Sequence, residues 1–443
     1  MRRILALLMT VAAVWLVVNL GGEAELARPT ALTLGFALIA AALAGTLLER
    51  VGLPRVTGYL LFGMVCGPYI LNVITRPMAR ELQIINGLAV VLIAFIAGLE
   101  MNFERMRPRL RSILQLCGVS MLVLYAGLFA ALWIGWGWLG IGEMSGLQQL
   151  AVVALLTTIL ASFSPTVTIA LIAESRASGP LSEMTLAVVI LADLLLILLF
   201  TLVMQFVRYA FGTAGEVGLL ISLLWEIFGS FAFGAAVGAL FALYLRHVGR
   251  ELPLALLAMC ALIAGLKVPL HIEPLLAALA AGLVVENIAP PRGDMLREAA
   301  ERGALPVLVL FFAAAGASLQ LDALAVMGWV AAGLSATRMG LIWLSTRAGA
   351  RYAGISAPVG SHVWMGLVSQ AGVTLGLTLI VAGEYPSWGT TIQTLVVALI
   401  ALHQLIGPVL FRAGLARAGE IGRMDTDVED VSHAMLNPES AHP

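Results

Sequence analysis

Residues 161–168 read ASFSPTVT, in the middle of an apolar run from Gln148 to Ile172. A helix in apolar surroundings would carry Leu and Val there; this one carries four hydroxyls and a proline. Pro165 removes a backbone donor and frees a carbonyl about four residues back, near Ala161. Ser162, Ser164, Thr166 and Thr168 are spaced to re-satisfy that backbone or to ligate a desolvated cation. Taken alone, the stretch also fits an ordinary proline kink.

What surrounds the break decides between these readings. Of the 443 residues 60% are hydrophobic and 12% are charged, and the mean hydropathy is +0.99. Soluble domains carry about twice that share of charge, so lipid must be the solvent for most of the chain. A net charge of −1 points away from nucleic acid and from a basic membrane-surface patch. Cys66, Cys117 and Cys260 lie in apolar runs without CxxC spacing, and the six histidines are scattered. The residues therefore predict neither a metal centre nor a cofactor.

A bilayer-spanning helix needs about 20 apolar residues. On that scale runs fall near 3–20, 30–49, 55–74, 84–102, 110–137, 147–173 and 180–208. They continue near 216–245, 251–270, 273–288, 303–318, 321–346, 359–383 and 390–412. With the N-terminus cytoplasmic, alternate loops should be rich in Arg. The predicted inner segments hold 19 arginines and the outer ones four: Arg28, Arg76, Arg80 and Arg208. This predicts an all-α polytopic membrane protein of 13 or 14 helices with a cytoplasmic C-terminus. Residues 1–29 read as an extra helix or a signal-like segment, 30–415 as the membrane domain and 416–443 as a disordered tail.

Six helices (repeat 1, 30–208) precede a linker helix (216–245), and six more follow (repeat 2, 251–412). Seven helices separate the two starts, so the second six begin on the opposite side of the membrane, as an inverted repeat requires. The fifth helix of the first six carries the opening break. The fifth of the second six carries LVSQAGVT, 367–374, with Ser369, Gln370 and Thr374 at mid-depth. Interrupted helices at matching positions of inverted halves point to a transport site. Unwound backbone in a membrane must line a cavity or be buried in protein.

Asp193 lies in VVILADLLLILLF near the midpoint of the 180–208 run, with no partner nearby in sequence. A carboxylate there costs about 3 kcal/mol or more unless it meets water, a cation or a proton, which suits a group that trades one for the other. Pairing with Arg338, in LSATRMGLIW, is the structural alternative. Arg338 reads chiefly as a structural charge holding helix ends or carbonyls together. Lys267, the single lysine, reads as interfacial, and His403 with Gln404 as a packed, hydrogen-bonded pair.

The chain resembles the monovalent cation:proton antiporter family, in its bacterial sodium/proton and potassium-efflux branch. The resemblance rests on RVGLPRVTGYLLFGMVCGP (50–68, with Pro54, Gly58, Gly63, Gly67 and Pro68), VLIAFIAGLEMN (91–102) and VLFFAAAGASLQLDAL (309–324). It covers about 30–412. It implies a homodimer in which a six-helix core bundle moves against a dimerisation bundle. Its ion site lies where the broken helices cross, with Asp193 as the essential aspartate. Ser162, Ser164, Pro165, Thr166, Ser369, Gln370 and Thr374 then form the crossover. The expected partners are Na+, K+ or Li+, H+ and the lipid bilayer, and the expected location is a bacterial inner membrane. Two departures stand out. Ala192 occupies the position where the family carries Asn, Asp or Gln, and 309–318 has no basic residue. Rival readings are an organic-anion symporter of similar fold and a non-transporting membrane sensor. An intramembrane aspartyl protease needs two deep aspartates, and the sequence offers one.

Overall fold

The structure is a computed structural model and describes residues 30–75, 78, 83–100, 107–212, 225–248, 251–266, 270, 272–288, 306–319, 321–370 and 372–423. The expected first span, the 416–443 tail beyond Arg423 and Lys267 lie outside them. The described residues form helices and no strand. In chain order they are α1 (Thr30–Glu49), α2 (Arg55–Cys66), α3 (Gln83–Glu100), α4 (Leu110–Ile134), α5 (Gly146–Leu160), α6 (Pro165–Ser175) and α7 (Pro180–Ala210). Then come α8 (Ser230–His247), α9 (Leu252–Gly265), α10 (Pro274–Ile288), α11 (Pro306–Ala317) and α12 (Leu321–Tyr352). The last four are α13 (Ala357–Gly360), α14 (Val363–Gly366), α15 (Gly372–Glu384) and α16 (Pro386–Ala418).

Local chemistry explains the ends. The Ser145 hydroxyl accepts from the Gln148 amide while the Gln148 side chain accepts from Ser145 N, a reciprocal cap that starts α5. Proline at the first or second position starts α6, α7, α9, α13 and α16, where its missing donor costs nothing. Gly419, at φ 69°, closes α16 in the left-handed region. Three expected spans change. The 55–74 run is helical only to Cys66, because Gly67 turns extended ahead of Pro68. The 321–346 run continues to Tyr352. The 359–383 run is two single turns, a gap and one helix.

The helices pack as two groups. In one, α4, α5, α6, α7, α12, α14, α15 and α16 share a core; in the other, α3, α8, α9 and α10 do. Glycines set the second group's close crossings. A methyl on Gly98 would strike the Leu279 carbonyl, one on Gly282 the Phe95 carbonyl, and one on Gly234 the Ala277 carbonyl. Gly63 and Gly316 bring α2 and α11 together in the same way. The contact of α6 with α3 joins the groups, and α2 packs on α6 and α16 of the first.

Two carboxylates fasten helix starts at the end of the molecule where α6 stops. Glu174 accepts from the Arg55 and Val56 amides at 2.6 and 2.9 Å, which have no partner inside α2. Glu420 does the same for Leu181 and Ser182 at the start of α7, at 2.6 and 2.8 Å. Arg412 of α16 donates to the Leu53 carbonyl at 2.7 Å.

Candidate functional site

Helix α5 stops at Leu160 and α6 starts at Pro165, so the first break is 161–164; the second lies between Gly366 and Gly372. The two breaks touch. Ser162 Oγ and Thr374 Oγ1 are 2.6 Å apart, and Thr168 Oγ1 donates to the Gly366 carbonyl at 3.3 Å. Gln370 Nε2 reaches back across the crossing to Leu160 O (3.3 Å), Ser162 O (3.4 Å) and Ser162 Oγ (3.2 Å).

Arg338 enters this crossing from α12 and is fully buried. Its Nε donates to Leu160 O (2.7 Å), Nη2 to Ser162 O (2.6 Å) and Nη1 to Val368 O (2.7 Å). The planar guanidinium thus binds the carbonyl ends of both first half-helices, where the helix dipole is negative. The Phe163 ring lies under it at 5.9 Å. The alternative in which Arg338 pairs with Asp193 does not hold, because its hydrogen bonds run to backbone carbonyls.

The hydroxyls divide by what they touch. Ser162, Gln370 and Thr374 bond to one another across the crossing. Ser164 caps α6 by accepting from Val167 N, and Pro165 occupies the first position of that helix. Thr166 and Ser369 are buried and, among the described residues, their side chains make no hydrogen bond.

Asp193 sits on α7, which packs on α5, α6 and α14 around the crossing. It is 3% exposed, and its Oδ1 is buried with no hydrogen-bond partner. Buried polar atoms are rarely left so, and each such atom asks for an explanation. A cation or a proton at this oxygen would satisfy it. Ala192 beside it is buried and adds no polar atom.

Sequence reasoning missed one neighbour. Glu273, at the start of α10, lies within electrostatic reach of Asp193. Its amide donates to Ser230 Oγ at 2.7 Å. Its sequence signal is an acid directly before a helix-starting proline in VPLHIEPLL. Gln404 is 8% exposed, and its Oε1 is buried without a partner. The expected His403–Gln404 pair is not formed, because adjacent helical side chains point about 100° apart. His403 bonds instead to Gln370 and Ser335. No group of three or more His, Cys, Asp or Glu among the described residues is placed to hold a metal ion.

Comparison with known proteins extends these observations. The chain is 24% identical over 389 residues to the Na(+)/H(+)-K(+) antiporter GerN of Bacillus cereus, covering 85% of this chain and 93% of that one. It is 28% identical over 170 residues to the probable Na(+)/H(+) antiporter 3 of Methanocaldococcus jannaschii, covering 38% of this chain and 39% of that one. The sodium proton antiporter MjNhaP1 from Methanocaldococcus jannaschii superposes with a TM-score of 0.69 at 17% identity, over 87% of this chain and 95% of that one. The fold is therefore that of a polytopic membrane antiporter. Residues 37–413 match the description "sodium/hydrogen exchanger, transmembrane", and the chain belongs to that family of transporters, which are not enzymes.

Proposed function

We propose that the protein exchanges a monovalent cation, Na+ or K+ with Li+ as a further candidate, for a proton, and that Asp193 carries both in turn. The observation that supports this is a buried carboxylate with an unpartnered oxygen on the helix packed against two broken helices. In one half-cycle the carboxyl is neutral with a proton; in the other it is neutral with the cation. Burial makes the bare carboxylate the costly state, so each ligand is released in exchange for the other. Arg338 and Gln370 hold the breaks open without offering the crossing carbonyls to the ion.

The exchange is electroneutral on this reading. Glu273 lies near Asp193, is part-buried and accepts from the Leu275 amide at its helix start, and this reading gives it no part in the exchange. Alternating access is of the elevator type: the bundle holding α4–α7 and α12–α16 moves against the one built from α3 and α8–α10. Repeats 30–208 and 251–412 joined by 216–245, a homodimer, a bacterial inner membrane and a cytoplasmic C-terminus complete the proposal.

Proteoliposomes with a trapped pH dye, challenged in turn with Na+, Li+ and K+, test it. Wild-type protein should alkalinise or acidify the lumen with at least one cation, and Asp193→Asn should abolish the exchange while the protein still inserts. Removing a buried charge leaves stability equal or higher. Near-normal exchange by the Asn variant would overturn the assignment.

A further inference from the structure

The crossing is held from one further side. His403, on α16, is fully buried. Its Nδ1 lies 2.8 Å from Gln370 Oε1, and its Nε2 lies 2.9 Å from Ser335 Oγ. Gln370 directs its amide nitrogen at three oxygens of the first break, so its carbonyl faces the imidazole. An acceptor there requires Nδ1 to be the protonated nitrogen. Nε2 then accepts from the Ser335 hydroxyl. Ser335 lies one turn before Arg338 on α12, so the imidazole and the guanidinium grip the same two carbonyls, one through Gln370 and one directly.

We propose that His403, seated by Ser335, is a positioning residue for transport: it keeps the Gln370 amide seated with its nitrogen against the first break. The oxygens of the break set which end of the amide faces them, and the neutral ring follows, since the Ser335 hydroxyl can meet either tautomer at Nε2. Without a partner at Nδ1 the amide is free to turn, and Gln370 Oε1 then meets Leu160 O and Ser162 O, three oxygens without a proton among them. The last helix therefore sets cation affinity at a distance from the ion, without touching it. This inference rests on the assignment of the ion site to the crossing beside Asp193.

Cation titrations of dye-loaded proteoliposomes separate the two ideas. His403→Leu removes both ring nitrogens and should raise the apparent KM for the cation about 5-fold or more, the loss of one buried hydrogen bond, with kcat within about 2-fold. His403→Asn places an amide where Nδ1 stands and should return KM to within about 2-fold of wild type, since one donor suffices to hold Gln370. Ser335→Ala should shift KM in the same direction by a smaller factor. Wild-type KM in His403→Leu, or an Asn variant as impaired as the Leu variant, overturns the proposal. If the Leu variant does not fold, wild-type KM in Ser335→Ala overturns it and a raised KM supports it. Loss of exchange in Asp193→Asn with wild-type kinetics in the His403 and Ser335 variants would reject this inference alone; exchange surviving in Asp193→Asn would reject the site itself.

Discussion

A single arginine does at the crossing what water would do at the surface. Breaking two helices inside apolar surroundings leaves carbonyls that lipid cannot satisfy, and Arg338 takes three of them with one planar group. Lysine offers a point charge and no fixed fork, so it cannot reach all three in one geometry. Arg338→Ala strips Val368 O of its donor and leaves Leu160 O and Ser162 O with only the long bonds from Gln370 Nε2, and should cost roughly 3–5 kcal/mol; Arg338→Lys should recover only part of this. Thermal melts of the detergent-solubilised variants check the order, and a wild-type midpoint for Arg338→Ala would show the clamp to be dispensable. At this scale the sequence reveals residue types better than partners. A proline among hydroxyls and a lone aspartate stand out from Leu and Val by chemistry alone. That Ser162 bonds to Thr374, 212 positions away, or that Glu273 lies near Asp193, depends on which helices adjoin, and no local pattern encodes that.

Elements show the same division. Helix positions follow from apolar runs near the bilayer length, and the breaks fall where Pro165 and the polar, Gly-containing stretch 367–374 interrupt them. Boundaries follow less well. Hydropathy carries the third span through to residue 74, although the backbone leaves the helix at Gly67, because Tyr69, Ile70 and Leu71 are apolar whatever their conformation. Glycine contacts are legible as a stripe of small residues but not as a particular crossing. Gly98 of α3 has the Leu279 and Leu283 backbone against it. No rotamer relieves a Cβ placed there, so Gly98→Ala should destabilise by about 1–3 kcal/mol, and Gly98→Leu should abolish folded protein. Gly118, with open space around its Cα, is the control and should accept Ala without loss. Size-exclusion chromatography and melting of the three variants distinguish a packed crossing from a loose one.

For the molecule as a whole the charges decide the energetics of exchange. If one carboxyl alternates between proton and cation, both half-cycles carry the same net charge across the membrane. On the proposed reading the segment 309–318, which has no basic residue, supplies no further proton, and Glu273 takes no part. Clamping the vesicle potential with a potassium ionophore should therefore leave the Na+-driven rate unchanged. A rate that climbs steeply with applied voltage, where each charge moved through 100 mV is worth about 2.3 kcal/mol, would show that charge is translocated. The proposed inversion of the halves was read from arginine placement and helix count, which depend on the membrane's two sides and not on side-chain contacts. How the bundles divide was not, since it is set by which faces pack.

The helices also differ in length, and the difference has a mechanical meaning. Helices α2, α9 and α10 run 12, 14 and 15 residues, about 18 to 22 Å at 1.5 Å per residue. Helices α7 and α16 run 31 and 33 residues, about 46 to 50 Å on the same rise. A hydrocarbon layer of about 30 Å matches neither. Lipid that meets the short helices thins to match them, while the long helices tilt to fit. If one bundle slides past its neighbour as proposed, it drags this uneven boundary with it, and part of the work of each crossing is then elastic and is done on the surrounding bilayer.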